Sequence, residues 1–238
     1  IAAENYPFCT IEPNTGIVVV PDARLEALED IVHSGKVVPA TVEFVDIAGI
    51  VKGASQGEGL GNKFLAHIRE THAIIHVVRC FEDENVVHVD GSTDPLRDLE
   101  TIDVELGLAD LETLEKRLDR ATRQTKSGDK VGIAERDFFS TLISHISDGN
   151  SARSFAIPEP MQVAVKECHL LTIKPILYVA NVDDDALAEG NDYSAQLEAR
   201  AAETGAGCLR ICGQVEAELS ELEADERVAF LEDMGVSE

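Results

Sequence analysis

The feature that most constrains the fold is an alternation of short β-branched segments with helical segments. Apolar runs with a β-strand composition occur at residues 16–21, 42–46, 73–78, 176–180 and 208–212. Helical patterns stand between several of these runs, at residues 22–32, 62–69 and 195–203. Strands that alternate with helices favour a mostly parallel sheet that helices cover on both faces. The alternation therefore predicts an α/β protein.

The middle of the chain, residues 95–171, has a different pattern. Pro95 marks a helix start, and apolar residues then recur at spacings of three and four as far as Thr125. The sequence SGD at 127–129 interrupts this pattern, and a returning apolar helix follows it. We therefore predict an antiparallel helical (coiled-coil) hairpin inserted into the α/β domain. Its seam is interpreted as packing between its own helices, with a partner-binding seam as the alternative.

The charge of the chain excludes one class of function. Acidic residues number 45 and basic residues 20, which gives a net charge of −25. A free-standing nucleic-acid-binding protein needs a basic surface, so any RNA contact must come from a local patch or from another segment. DNA is not an expected partner. The acid excess itself is interpreted as a solubility feature or as an adaptation to a salty cytoplasm.

The sequence composition also indicates the cellular compartment of the protein. No apolar run approaches the roughly 18–20 residues of a membrane span, and the sequence starts without a signal-like segment. The five cysteines contain no C-x-x-C pair, and we interpret them as reduced thiols. These observations predict a cytoplasmic protein without a membrane partner.

The segment FVDIAG at 44–49 places Asp46 at the end of a strand and Gly49 at the start of a glycine-rich loop. In nucleotide hydrolases, an Asp at this place holds a water bound to Mg²⁺. The Gly lets its backbone N–H approach the γ-phosphate. A D-x-x-G tetrapeptide is common by chance, so a strand that simply ends in a turn is the alternative.

The glycine-rich loop at 53–63 matches neither of the two common phosphate-binding motifs. Asn62 stands where G-x-G-x-x-G requires its third glycine. Lys63 lies between Asn62 and Phe64, whereas a Walker A loop requires Gly before the Lys and Ser or Thr after it. We interpret this loop as a mobile, switch-like segment whose glycines permit rearrangement.

A second polar cluster follows the strand at 176–180. Asn181 at the strand end and Asp184 three residues later are typical of the purine-binding corner of GTPase-type domains. Guanine-binding versions usually have Lys after the Asn, whereas this chain has Val182. The segment RICGQ at 210–214 could place backbone N–H groups near the base. An acidic turn without a ligand is the alternative.

Taken together, several segments resemble the YchF (Obg-like ATPase) family of translation-factor-class P-loop proteins. They are NYPFCTIEPN at 5–14, FVDIAG at 44–49, GEGLGNKFL at 57–65, HVVRCFE at 76–82 and LTIKPILYVANV at 171–182. The resemblance implies a Ras-like, three-layer P-loop NTPase fold over residues 1–94 and 172–238, with 95–171 as the helical insertion. It also implies Mg²⁺-dependent hydrolysis of ATP, with GTP as the alternative. The implied partner is the ribosome, as its large subunit or the whole particle, with RNA as a further partner.

The resemblance also assigns site residues. Thr10 corresponds to the switch I ligand of Mg²⁺, while Asp46, acting through water, and Gly49 belong to switch II. The base is expected to be surrounded by five residues: Asn181, Val182, Asp184, Cys212 and Gly213. Ile50 stands where Ras-like enzymes have the Gln that orients water, and an apolar side chain cannot do this. The catalytic residue therefore stays unassigned.

Two departures from the family qualify these expectations. The family has a phosphate loop shortly before the first motif and a β-grasp-like domain after the segment where these 238 residues stop. Without the backbone N–H groups and the Lys of that phosphate loop, the 238 residues alone are expected to hydrolyse negligible nucleotide. Asp184 stands where the family usually has Glu. A carboxylate favours the two donors of guanine, whereas the family prefers ATP. We therefore expect the full-length protein to prefer ATP to GTP, but by a smaller factor than a relative that has Glu at this position. The alternative function is a non-catalytic adaptor that uses the hairpin as a docking arm.

Overall fold

The structure is a computed structural model that describes residues 14–47, 60–83, 86, 91–125, 129–223, 226–227 and 230–231, except for the side chains of residues 60–62. The chain forms two compact units, Ile1–Gly49 and Ile50–Glu238. Among the described residues, no helix has the length and apolar character that crossing a membrane requires.

The first unit contains a two-stranded antiparallel sheet and one helix. Strand β1 is Asn14–Val19, helix α1 is Ala23–Val32 and strand β2 is Thr41–Asp46. Asp22 caps α1, because its carboxylate accepts a hydrogen bond from the backbone N–H of Arg24 at 3.0 Å. The pairing is not the parallel one that the alternation of strands and helices predicts. The connection through α1 reverses the chain, and a bond of 2.9 Å from Val20 N to Ala40 O extends the antiparallel ladder.

The second unit contains a parallel sheet, as predicted. Its sheet elements are β3 (Ile74–Arg79), β4 (Ile176–Asn181) and β5 (Gly207–Ile211), in the order β3–β4–β5. The helices α2 (Leu60–Glu70), α6 (Asp192–Thr204) and α7 (Gly213–Glu221) flank these strands in the chain. The register places Val77 beside Val179 and Val179 beside Leu209. Helix α6 connects β4 to β5, which is the crossover that parallel neighbours require.

The hairpin consists of α3 (Pro95–Thr125) and α4 (Lys130–Ser147), followed by the short helix α5 (Gln162–Lys166). Short 3₁₀ turns at Ala152–Ser154 and Glu159–Met161 lie between α4 and α5. The two long helices are antiparallel, because Gly132 lies against Gln124 near the turn whereas Gly107 lies against Ile146 far from it. Asp129 begins α4 by accepting a bond of 3.1 Å from Val131 N.

Helix α3 takes part in two hydrophobic cores. Near its start, Leu99 packs with Tyr178 of β4 and Leu197 of α6 in the core of the sheet. Farther along, Leu114 packs with Phe139 and Leu142 of α4 in a second core, and neither Leu99 nor Leu114 is exposed. The seam of α3 that faces α4 therefore consists of Leu111, Leu114 and Leu118. One helix thus joins the sheet to the hairpin.

A buried polar cluster fixes this junction. The Asp110 carboxylate accepts hydrogen bonds from Leu171 N at 2.7 Å, Thr172 N at 2.8 Å and Thr172 Oγ1 at 2.7 Å. Lys174 Nζ donates to the carbonyl oxygens of Arg69 and Thr71 at the end of α2. The end of α2, the middle of α3 and the segment before β4 are therefore connected through hydrogen bonds.

Candidate functional site

The carboxyl ends of the three parallel strands meet at one edge of the sheet. Arg79 ends β3, Asn181 ends β4 and Ile211 ends β5, and Arg79 and Asn181 are register partners, as are Asn181 and Ile211. In open α/β sheets, ligands bind in the crevice outside this edge. The polar side chains that follow these strands are therefore candidates for a binding site.

Asn181 holds the loop after β4 against the loop after β5. Its Oδ1 accepts a hydrogen bond from the backbone N–H of Gly213 at 2.9 Å, and the backbone N–H of Val182 donates to Ile211 O at 2.9 Å. Both strand-end loops are thus fixed to each other by one side-chain bond and one backbone bond. The sequence analysis assigns Asn181 to a purine-binding corner, and in the structure its side chain fixes the loop after β4 to the loop after β5.

Gly213 lies where space is limited. It is the first residue of α7, and a Cβ atom at this position would lie 3.4 Å from Asn181 Oδ1. That separation is at the short end of ordinary van der Waals contact, so a side chain here would pack directly against the Asn181 amide. Gly213 itself is exposed, which leaves its surface open to a ligand at the sheet edge.

Two of the predicted base-site residues have buried side chains. Val182 is 2% exposed and belongs to the core of the sheet, while Cys212 is 4% exposed and packs with Val215 and Leu219 of α7. Both side chains therefore pack in the interior and anchor the loops that follow β4 and β5. Any contact that Val182 or Cys212 makes with a ligand has to come from its backbone.

Asp184 is exposed in the turn after β4. Its carbonyl oxygen accepts a hydrogen bond from Leu187 N at 3.1 Å, which shapes the turn. In the described part of the chain its carboxylate accepts no hydrogen bond and lies in no ion pair. The carboxylate is therefore available to accept donors from a ligand.

The end of β3 contributes a corner that sequence reasoning missed. The Arg79 guanidinium donates to Phe81 O at 3.0 Å, Val86 O at 3.0 Å and Asp83 O at 3.1 Å, and it lies 4.7 Å from the centre of the Phe81 ring. Asn191 Nδ2 donates to Cys80 O at 2.7 Å, while its Oδ1 caps α6 by accepting from Ser194 N at 2.9 Å. Burial raises the pKa of the Cys80 thiol to about 12, so this thiol stays neutral.

Local sequence signals reveal only part of this corner. A position just before a helical pattern suggests an N-cap for Asn191. Its bond to Cys80, 111 positions earlier in the chain, has no local signal.

The predicted metal and switch residues belong to another part of the chain. Asp46 is the last residue of β2 in the first unit, with an exposed side chain and Asn14 as its register partner. Thr10, Gly49 and Ile50 lie outside the described residues, as does most of the glycine-rich loop. Within the described ranges, no group of three or more His, Cys, Asp or Glu side chains could hold a metal ion.

Comparisons with known proteins agree with these features. The family described as "50S ribosome-binding GTPase" matches residues 1–126. The "Ribosome-binding ATPase YchF" of Bacillus subtilis is 51% identical over 236 residues, which cover 98% of this chain and 64% of that protein. The protein of the same name from Haemophilus ducreyi is 50% identical over 238 residues, covering 100% of this chain and 65% of the relative.

A solved structure supports the fold as well. The YchF GTPase of Schizosaccharomyces pombe superposes with a TM-score of 0.80 at 30% sequence identity, covering 98% of this chain and 64% of that one. This match confirms the P-loop GTPase type of fold that the sequence predicts. The chain spans about 64–65% of the length of the curated relatives named above.

The printed names of these proteins differ on the nucleotide, because the curated relatives are called ATPases and the solved structure a GTPase. They agree on the family, and the resemblance to YchF proteins is confirmed over nearly the whole chain. The family match spans more than half of the residues of this chain. The chain therefore belongs to the family of 50S ribosome-binding GTPases, with the YchF proteins as its relatives.

Proposed function

We propose that this chain is the nucleotide-binding part of a cytoplasmic, ribosome-associated NTPase that requires Mg²⁺ and prefers ATP to GTP. The observation that carries the proposal is the bond between Asn181 Oδ1 and Gly213 N at the carboxyl edge of the parallel sheet. It joins two loops into one rim, and Asp184 is exposed in the first of those loops. This is the place where α/β domains bind nucleotides.

The residues of this rim have separate roles in the proposal. Asn181 positions the loops, Gly213 leaves room for the base, and Val182 and Cys212 contribute backbone groups while their side chains pack inward. The Asp184 carboxylate, which favours the donors of guanine, is expected to point away from adenine and to reduce the preference for ATP. Because Val182 replaces the Lys of guanine-binding corners, backbone groups are expected to recognise the amino group of adenine.

Mg²⁺ would be held by Thr10 and, through water, by Asp46. The exposed carboxylate of Asp46 at a strand end suits a hard cation that prefers oxygen ligands. When bound, the ion would neutralise charge that develops on the phosphates. Gly49 would offer its backbone N–H to the γ-phosphate, and Ile50 cannot orient the attacking water.

The domain arrangement in the proposal follows the sequence. Residues 1–94 and 172–238 would form the nucleotide-binding domain, and 95–171 the helical insertion. Support for the insertion comes from α3, which packs on the sheet near Leu99 and on α4 near Leu114. The large ribosomal subunit is the proposed partner, since the family description and the relatives' names refer to ribosome binding.

The proposal is tested by nucleotide binding to the full-length gene product in competition between ATP and GTP. ATP is expected to bind more tightly, and GTP binding tenfold tighter than ATP would overturn the preference. Asn181→Ala removes the acceptor for Gly213 N–H and is expected to weaken nucleotide binding at least tenfold.

Asn150→Ala is the matched control for Asn181→Ala. Asn150 lies in an exposed turn of the same unit, where its Nδ2 donates to His145 O at 3.2 Å. Equal nucleotide affinity of the two variants would show that the Asn181 rim is not the binding site. Failure of the full-length product to bind either nucleotide would favour the adaptor alternative.

A further inference from the structure

The last turn of α2 is attached to α3 by one side chain. Arg69 donates from Nη1 to Thr113 Oγ1 at 3.2 Å and from Nη2 to Ala109 O at 3.4 Å. The two acceptors are four residues apart, so they lie on the same face of α3. Both bonds are long, and Thr113 Oγ1 itself donates to Ala109 O at 3.1 Å. Because Arg69 is also only half-buried, this attachment can open without exposing a core.

The backbone of the same turn is held by a second cation. Lys174, which precedes β4, donates from Nζ to Arg69 O at 3.1 Å and to Thr71 O. Arg69 O is one of the carbonyl oxygens that the end of a helix leaves without a partner, and a cation is favoured beside it. Burial lowers the pKa of the Lys174 ammonium, the Asp110 carboxylate of α3 opposes this effect, and Arg69 adds to it. Arg69, Asp110 and Lys174 therefore form one electrostatic cluster at the end of α2.

The contact of Arg69 lies where α3 leaves the sheet for the hairpin. Asp110 fixes α3 to the segment before β4, and Thr113 lies nearly one turn farther along the helix. The next residue, Leu114, packs in the hairpin core with Phe139 of α4. A displacement of Arg69 therefore acts on α3 on the hairpin side of the Asp110 bonds.

The other end of α2 leads toward the nucleotide in the proposed function. Helix α2 begins at Leu60, a short distance after Gly49, whose backbone N–H is proposed to face the γ-phosphate. The sequence between them is the glycine-rich loop, whose composition predicts a switch-like segment. A helix of 11 residues is about 16 Å long and stiff, so a shift at its start is carried to Arg69 near its end.

We propose that α2 transmits the nucleotide state to the hairpin and that Arg69 connects the two helices through Thr113 and Ala109 of α3. The proposal rests on the nucleotide binding proposed above and adds the contact by which that binding changes the hairpin. In one nucleotide state Arg69 bonds to α3, as in the structure, and in the other α2 shifts and the bonds open. Couplings between distant sites are typically about 5–150-fold in affinity, which two hydrogen bonds from a charged donor are strong enough to supply.

The test measures hydrogen–deuterium exchange of the full-length gene product with saturating ADP and with a saturating non-hydrolysable ATP analogue. Arg69→Gln removes the guanidinium from the contact. Thr113→Val removes one acceptor from the α3 side and keeps the shape of the side chain. Arg123→Gln is the matched control, because it removes the same charge from an exposed position on α3.

In wild type, the amides of α4 and of α3 beyond Thr113 are expected to exchange about fivefold or more differently in the two nucleotides. Arg69→Gln is expected to reduce this ratio to within about twofold, and Thr113→Val to reduce it in part, whereas Arg123→Gln keeps it. The amides of α2 keep their response in every variant, because the shift of α2 comes first. A purely structural role of Arg69 would instead change the exchange rates equally in both nucleotides and leave the ratio intact.

An intact ratio in Arg69→Gln would overturn the proposal while nucleotide binding still stands. A wild type in which α2 responds to the nucleotide and the hairpin does not would overturn it as well. If wild type binds neither nucleotide, the proposed function fails and this proposal fails with it. Should Arg69→Gln not fold, Thr113→Val decides, since it changes the same contact from the side of α3, and an unchanged ratio there would overturn the proposal.

Discussion

At the scale of single residues, Asp110 is a buried polar group that depends on its hydrogen-bond partners. Its side chain is fully buried, and its carboxylate accepts three hydrogen bonds from Leu171 and Thr172. Burial raises the pKa of this carboxyl, and the three donated bonds oppose that effect. Asp110→Ala would leave three buried donors without an acceptor, at about 1–3 kcal/mol for each. We expect the free energy of unfolding to fall by at least about 3 kcal/mol in urea denaturation.

Glu115→Ala provides the control for Asp110→Ala, because Glu115 is an exposed acid on the same helix. Its effect should stay within about 0.5 kcal/mol. Asp110→Asn keeps one acceptor oxygen and should fall between the two. A loss for Asp110→Ala no larger than for Glu115→Ala would show that the junction between α3 and the segment before β4 does not depend on this carboxylate.

The two residues Asn181 and Asp110 show which polar positions a sequence reveals. Asn181 follows a short apolar run, so its place at a strand end could be predicted, and the structure shows it there. Asp110 lies in a helical pattern where an acid usually faces water. Its partners are 61 and 62 positions away in the chain, and nothing in the local sequence indicates that distance.

At the scale of elements, the hairpin depends on a narrow apolar seam. Leu114 is 0% exposed and packs against Phe139 and Leu142 of the opposite helix. Leu114→Asp would place a carboxylate in this core without a partner, and burying such a group is costly. We expect a loss of at least about 2 kcal/mol in the free energy of unfolding, measured by thermal and urea melts that follow helicity.

The matched control for the hairpin is Val104→Asp. Val104 lies on the same helix but is 58% exposed, so the same charge stays in water there. Its effect on the free energy of unfolding should be within about 0.5 kcal/mol. If the two variants melt alike, the seam does not hold α3 against α4, and a docking role for the hairpin would gain support.

The elements differ in how far their pairing could be predicted. The spacing of three and four predicts the bounds of α3 well, because one helix face must stay apolar over its whole length. Pairing direction is different, since it depends on how a connection turns in space. The alternation of strands and helices favours parallel strands and is right for β3–β5, whereas β1 and β2 pair antiparallel.

At the scale of the whole molecule, charge is the dominant feature. A net charge of −25 makes the compact state repel itself, and that repulsion extends over a Debye length of about 30 Å at 0.01 M salt but only 10 Å at 0.1 M. Salt also weakens ion pairs, but several of those in the described residues, such as Lys116–Glu112 and Arg136–Asp137, have both side chains exposed and contribute little each. We therefore expect the relief of this repulsion by salt to outweigh the weakening of the ion pairs.

We accordingly expect the melting temperature to rise as KCl increases from 0.01 to 0.2 M, and to rise less per unit of salt above 0.2 M. Screening saturates in this way, whereas exclusion of salt from the surface keeps strengthening at higher concentration. A variant that neutralises three exposed acids of the second unit, Glu115→Gln/Glu189→Gln/Glu216→Gln, should melt higher at 0.01 M KCl and show a smaller rise. Melting temperatures that are flat below 0.2 M, or that fall with salt, would mean that local ion pairs outweigh the overall acidic charge.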